Sequence, residues 1–145
     1  MDRIDHHEPG KAIVARKLTS GEEPFWIRSD GELEMPPALV LESLCQAGSW
    51  LVYLSTGGTR TAALLSVAAA EFGAPARPGD VLVLEGNVES IDEERAVLSG
   101  TVSIAGETVL RATDIMCALI EVGRLEDPDA LRRRAEVVLH GQAAG

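Results

Sequence analysis

The sequence predicts an α+β domain in which one long helix is wrapped by a curved antiparallel sheet, with an extra helix at the C-terminal end. Two patterns carry this. The stretch from Met35 to Gly58 is rich in helix formers and places apolar side chains almost all round the axis, which predicts a helix buried on most sides. After it come four β-rich segments separated by short clusters of turn residues, and strands joined by short turns pair antiparallel.

Taken in order, Lys11 to Thr19 follows the turn pair Pro9-Gly10 and reads as the first strand. Ser20 to Met35 has no sustained period and carries Gly21, Pro24, Asp30 and Gly31. It reads as a long connecting loop, a kind of segment that is often functional. Pro36 and Pro37 suit a helix start, where a missing N–H costs little, and Gly57-Gly58 ends the run. A helix of about 20 residues spans roughly 30 Å, enough to cross a small domain. Strands are then expected at Ala62–Glu71, Val81–Ser90, Arg95–Ala105 and Glu107–Val122. Asp127 as N-cap and Pro128 at the first helical position open a short amphipathic helix that runs to His140. The organisation is thus a core domain over residues 1–123, with the C-terminal helix and tail over 124–145.

The 145 residues suit one domain, and 46% hydrophobic with 25% charged residues is a globular composition. A net charge of −10 argues against nucleic-acid and anionic-membrane partners. The longest apolar stretch, Ala38 to Leu54, is broken by Glu42 and Gln46, so it does not read as a membrane span. The first residues lack the apolar centre of a signal peptide, which leaves a cytoplasmic setting as the expectation. Cys45 and Cys117 lie in apolar runs without the paired spacing of a metal site, and read as small buried hydrophobes. No metal and no cofactor is called for. The adjacent His6 and His7 read as an exposed pair.

Three segments, in order, resemble the FabZ/FabA-type 3-hydroxyacyl-carrier-protein dehydratases. The first is Asp2-Arg3-Ile4, then Glu8-Pro9-Gly10-Lys11-Ala12-Ile13-Val14-Ala15, then Glu23-Pro24-Phe25. The second is Met35-Pro36 with Leu39-Val40-Leu41-Glu42-Ser43-Leu44-Cys45-Gln46-Ala47-Gly48. The third is Phe72 with Arg77-Pro78-Gly79-Asp80-Val81-Leu82. They span almost everything except the last helix, which typical members lack. The resemblance implies a hotdog fold that dimerises by setting two sheets side by side, with an acyl tunnel at the dimer interface. It also implies an acyl thioester, on a carrier protein or on CoA, as the bound partner, with Met35, Pro37 and Phe72 as substrate-contacting positions.

Dehydration of a 3-hydroxyacyl thioester needs a base for the proton beside the carbonyl. It also needs an acid for the departing hydroxyl and a donor for the enolate-like oxygen. In the family these are a loop histidine, a carboxylate on the helix of the other subunit, and the N–H of a glycine after Met-Pro. Glu42 matches the carboxylate, an acid expected to be buried, and Gln46 one turn on matches the family glutamine. The histidine position falls on Ser29 when read forward from Glu23-Pro24-Phe25, and on Arg28 when read backward from Met35-Pro36; Asp30 flanks both. Arginine stays protonated and an unassisted serine is a poor base. The glycine position is Pro37, which has no N–H to give. Basic residues that would meet an acidic carrier are sparse: Ala68-Ala69-Ala70-Glu71 precedes Phe72, leaving Arg28, Arg60 and Arg77 as a small patch.

Three readings follow. The chain binds an acyl thioester without family-type turnover, as a homodimer or as the non-catalytic half of a heterodimer. Alternatively it is a hotdog enzyme with changed chemistry, such as a thioesterase using Glu42. In the third, the loop is rearranged so that Arg28, Ser29 or Asp30 takes over the histidine's part.

Overall fold

The computed structural model describes residues 1–140. Pro36 and Pro37 open a helix of 19 residues, α1 (Pro37–Ser55). It ends where Gly57 and Gly58 take φ of 64° and 81°, and the Gly58 N–H donates to the Tyr53 carbonyl at 2.9 Å. Before it lie β1 (Arg3–Glu8), β2 (Ala12–Leu18) and the short strands β3 (Ile27–Ser29) and β4 (Glu32–Glu34). After it come β5 (Arg60–Phe72), β6 (Val81–Ile91), β7 (Arg95–Ile104), β8 (Glu107–Glu121), the one-turn α2 (Val122–Leu125) and α3 (Pro128–His140). The Asp127 carboxylate accepts the Asp129 N–H at 3.1 Å, the bond expected of an N-cap.

The main sheet is antiparallel throughout, with strand order β1-β2-β6-β7-β8-β5. One helix packs against β2, β5, β6, β7 and β8, so the sheet curls around it, as in the hotdog architecture. Leu44 and Leu51 of α1 share a fully buried core with Ile13 of β2, Leu82 and Leu84 of β6, and Leu110 of β8. Among the described residues, no helix is long and apolar enough to cross a membrane.

Gly100 and Gly48 leave little room for a side chain where β7 meets β6 and α1. A Cβ on Gly100 would stand 2.5 Å from the Glu85 carbonyl oxygen and 2.9 Å from Leu44 Cδ1. A Cβ on Gly48 would stand 3.0 Å from Leu98 Cδ1.

The structure corrects the sequence reading at four points. The sheet has a sixth strand, β1, preceding the Pro9-Gly10 turn. Only Ile4 of its six residues is buried, so the period-2 signal of a half-buried strand is absent. The presumed loop 20–35 contains the β3–β4 hairpin, closed by Asp30 and Gly31 at φ 50° and 80°. Two central residues with positive φ make the primed turn that suits a two-residue hairpin, and Asp-Gly favours it. A one-turn helix, α2, follows β8. Finally, α1 buries one stripe (Val40, Leu44, Ala47, Leu51) rather than most of its surface; Leu41, Trp50 and Leu54 on other faces are only half-buried.

Filling the tightest of these contacts tests the packing. Gly100→Ala is expected to destabilise the fold by ~1–3 kcal/mol, the usual cost of overpacking, read as a lower urea midpoint with an unchanged slope.

Candidate functional site

At 3.6 residues per turn, position 42 lies about half a turn around α1 from Val40 and from Leu44. The stripe that packs on the sheet therefore turns Glu42 outward, and Gln46, one turn on, follows it. Both side chains are exposed in the single chain, which corrects the expectation of a buried acid. They line a cleft of about 150 Å³ with Met1, Lys17 of β2, Phe25 of the connecting segment and Met35.

The Met1 ammonium donates to Gln46 Oε1 at 3.0 Å. Burial, then the positive charge of Lys17, lowers the pKa of that ammonium, while Asp2, Glu23 and Glu42 act the other way. Lys17 Nζ stands 5.9 Å from the Phe25 ring centre, a cation–π contact. Phe25 packs on Trp26 at 4.8 Å, and the Trp26 indole N–H donates to the Ser20 carbonyl at 2.7 Å. These contacts tie the Glu23-Pro24-Phe25 segment to β2 and to the residues before it. Within it, Glu23 Oε2 is buried and has no hydrogen-bond partner among the described residues.

Met35 is buried, its N–H donating to the Ala76 carbonyl at 2.8 Å. It lines the Glu42 cleft and also a second cavity of about 200 Å³ shared with Pro37, Val40 and Phe72. The structure thus joins Glu42, Gln46 and Met35 in one space, and Met35, Pro37 and Phe72 in the next. Arg28, Ser29 and Asp30 line neither; they form the exposed end of the β3–β4 hairpin, where the Arg28 guanidinium donates to the Gly31 carbonyl at 3.0 Å. Of the basic patch, Arg77 is paired with Glu32 at 2.7 Å. Lys17 was not singled out from sequence, because a lysine within a strand carries no distinctive spacing.

Cys45 and Cys117 line a small apolar cavity of about 30 Å³ between α1 and the sheet, with Leu44, Leu98 and Ile115. Burial, and then the charge of Glu42, raises the Cys45 thiol pKa. Burial, then Cys45, pushes Cys117 up to about 11. Neither thiol is primed as a nucleophile. Among the described residues, no three His, Cys, Asp or Glu side chains are grouped to hold a metal ion.

No protein-family model matches the chain. Curated relatives do. A 3-hydroxyacyl-(acyl-carrier-protein) dehydratase FabZ of Pediococcus pentosaceus is 44% identical over 97 residues, covering 66% of this chain and 64% of the relative. The FabZ of a Wolbachia strain from Drosophila simulans is 35% identical over 115 residues, 78% of this chain and 80% of the relative. Among solved structures, a Streptococcus mutans protein bound to acetyl CoA superposes with a TM-score of 0.66 at 15% identity, over 83% of this chain and 90% of that one. The dehydratase heterocomplex ApeI:P of Xenorhabdus doucetiae gives 0.60 at 13% identity, over 81% and 98%. At these identities the superpositions establish the hotdog fold alone.

The raised Cys117 pKa has a definite sign. A thiol with an ordinary value of 9.0 unfolded and about 11 folded keeps its proton longer in the native state. Its contribution to stability is whole below about pH 9 and is lost as the pH climbs from about 9 to about 11. Urea unfolding across that window is expected to show the decline, and Cys117→Ala to remove that part of it. At pH 8, alkylation of Cys117 is expected only once the chain is unfolded.

Proposed function

The chain belongs to the FabZ family of 3-hydroxyacyl-carrier-protein dehydratases, and from that membership we propose that it is a cytoplasmic acyl-thioester-binding subunit without family-type dehydration. One observation carries this reading: Pro37 stands at the first position of α1, where the family motif places a glycine whose N–H receives the developing oxyanion. Proline has no such hydrogen, and Pro36 before it has none either. Loss of one oxyanion donor costs on the order of a hundred- to a thousandfold in rate. Loss of a positioned base costs roughly a further hundred- to ten-thousandfold. Arg28 and Ser29, the two positions onto which the histidine falls, carry an always-protonated guanidinium and an unassisted hydroxyl, which supports the second loss.

What remains fits binding. Glu42 and Gln46 offer a carboxylate and an amide to a hydroxyl or thioester carbonyl, and Met35 and Phe72 offer apolar contact on the far side of the helix start. The chain's own purified product is expected to bind 3-hydroxyacyl thioesters and to dehydrate them at a rate at least ~10⁴ below a complete family member. Turnover at enzyme-like rates, lost in Glu42→Ala, would overturn the reading. Hydrolysis of acyl thioesters dependent on Glu42 would replace it with the thioesterase alternative. The pair Pro37→Gly with Ser29→His, or Pro37→Gly with Arg28→His, restores the two missing groups and is expected to raise dehydration above the parent.

The assembly proposed is a dimer through β5, with a second copy or with a complementary hotdog subunit. Among the described residues β5 is an edge of the sheet, and it exposes Leu64, Leu65 and Phe72 by 52%, 59% and 47%. A long apolar edge left bare is an aggregation hazard, so it calls for a cover. Leu65→Glu is expected to convert the dimer to monomer in sedimentation analysis; an unchanged dimer would move the interface elsewhere.

A further inference from the structure

The motifs that mark the family stop before α3, yet α3 shapes a large concave space that adjoins the Glu42 cleft. It buries Leu131 and Ala135, packs on β1, and faces the outer side of α1 across a groove of about 530 Å³. That is within the ~300–1,000 Å³ typical of small-molecule sites. One wall is Ser49, Trp50 and Tyr53 of α1; the other is Leu131, Arg134 and Val137 of α3. Trp50 and Tyr53 brace each other edge to face at 5.6 Å. Arg134 is ion-paired with Glu126, which ties the α3 wall to the segment before it.

The groove and the Glu42 cleft share Met1 and Gln46. From Glu42 to Tyr53 is about three helical turns, or ~16 Å along α1. We infer that this groove receives the distal end of a medium-chain acyl group whose thioester carbonyl lies at Glu42, so that α3 makes the chain selective for acyl length. The inference rests on the thioester-binding reading above. A short acyl group ends at Gln46 and leaves the groove to water. A longer one runs between the Trp50 ring and the Leu131 and Val137 side chains, and each methylene taken from water there strengthens binding roughly three- to fourfold.

The test is calorimetric titration of the full chain with the CoA thioesters of 3-hydroxybutyrate and 3-hydroxydodecanoate. The dodecanoyl compound is expected to bind at least tenfold more tightly. Val137 is 49% exposed, so Val137→Asp places a charge on the wall without disturbing the core, and unchanged thermal unfolding checks that. This variant is expected to erase the preference while leaving butyryl affinity unaltered. Equal affinities for both thioesters in the parent, or a preference that survives Val137→Asp, would overturn the inference and leave thioester binding standing. A Val137→Asp chain that changes its oligomeric state instead would assign the groove to a second copy and overturn it equally. Failure of both thioesters to bind would overturn the function reading itself, and the groove's role with it.

Discussion

The contact between α1 and the central strands is the constraint on which everything else depends. At Gly100 a Cβ would press on both Glu85 of β6 and Leu44 of α1, at Gly48 one would crowd Leu98 of β7, and Leu44 and Leu51 fill the remaining space. A helix seated that tightly cannot rotate about its axis without losing its core. Its rotation in turn decides which residues face away. Glu42, Gln46, Ser49 and Trp50 are turned outward because Val40, Leu44, Ala47 and Leu51 are turned in, and the cleft and groove on the outer side inherit their linings from that choice.

The two edges of the sheet are treated differently. On one side β1 is short, polar and overlaid by α3, and its bulge at Asp5 is held by Arg3 and Arg16. Charges, irregularity and a covering helix are the usual protections of an edge. On the other side β5 runs for 13 residues with leucines and alanines exposed. An extra C-terminal helix therefore does two things at once: it guards the edge that does not need a partner, and it walls a groove on the outer face of α1.

Much of this was legible in the sequence, for reasons that can be located. α1 and β5 to β8 have strong local signals, because prolines and glycines mark the helix ends and short turns mark the strand ends. β1 was missed because five of its six residues are not buried, and a strand on a sheet edge needs no alternation. The β3–β4 hairpin was missed although Asp30-Gly31 is the dipeptide such turns prefer; three-residue strands are too short for period to register. In the site, the motif singled out Glu42, Gln46 and Met35, and all three line one cleft. The exposure of Glu42 was not legible. It depends on which face of an all-round apolar helix finds the sheet, and composition does not distinguish one apolar face from another.

The departures from the family motif share a physical logic. Pro37 does more than remove a donor: with Pro36 it fixes the backbone entering α1, and a preset φ suits the first helical position. A glycine there would donate its N–H but leave the entry looser, since glycine loses more freedom on ordering. The same position thus trades oxyanion stabilisation for a stiffer helix start. The hairpin behind it is likewise closed by a turn of its own, which holds Arg28 and Ser29 on an exposed ladder. On the proposed reading, both changes favour a rigid scaffold over reactive groups. On that reading, too, the trade is that of a subunit that binds and assembles, with Glu42 and Gln46 as its ligand contacts.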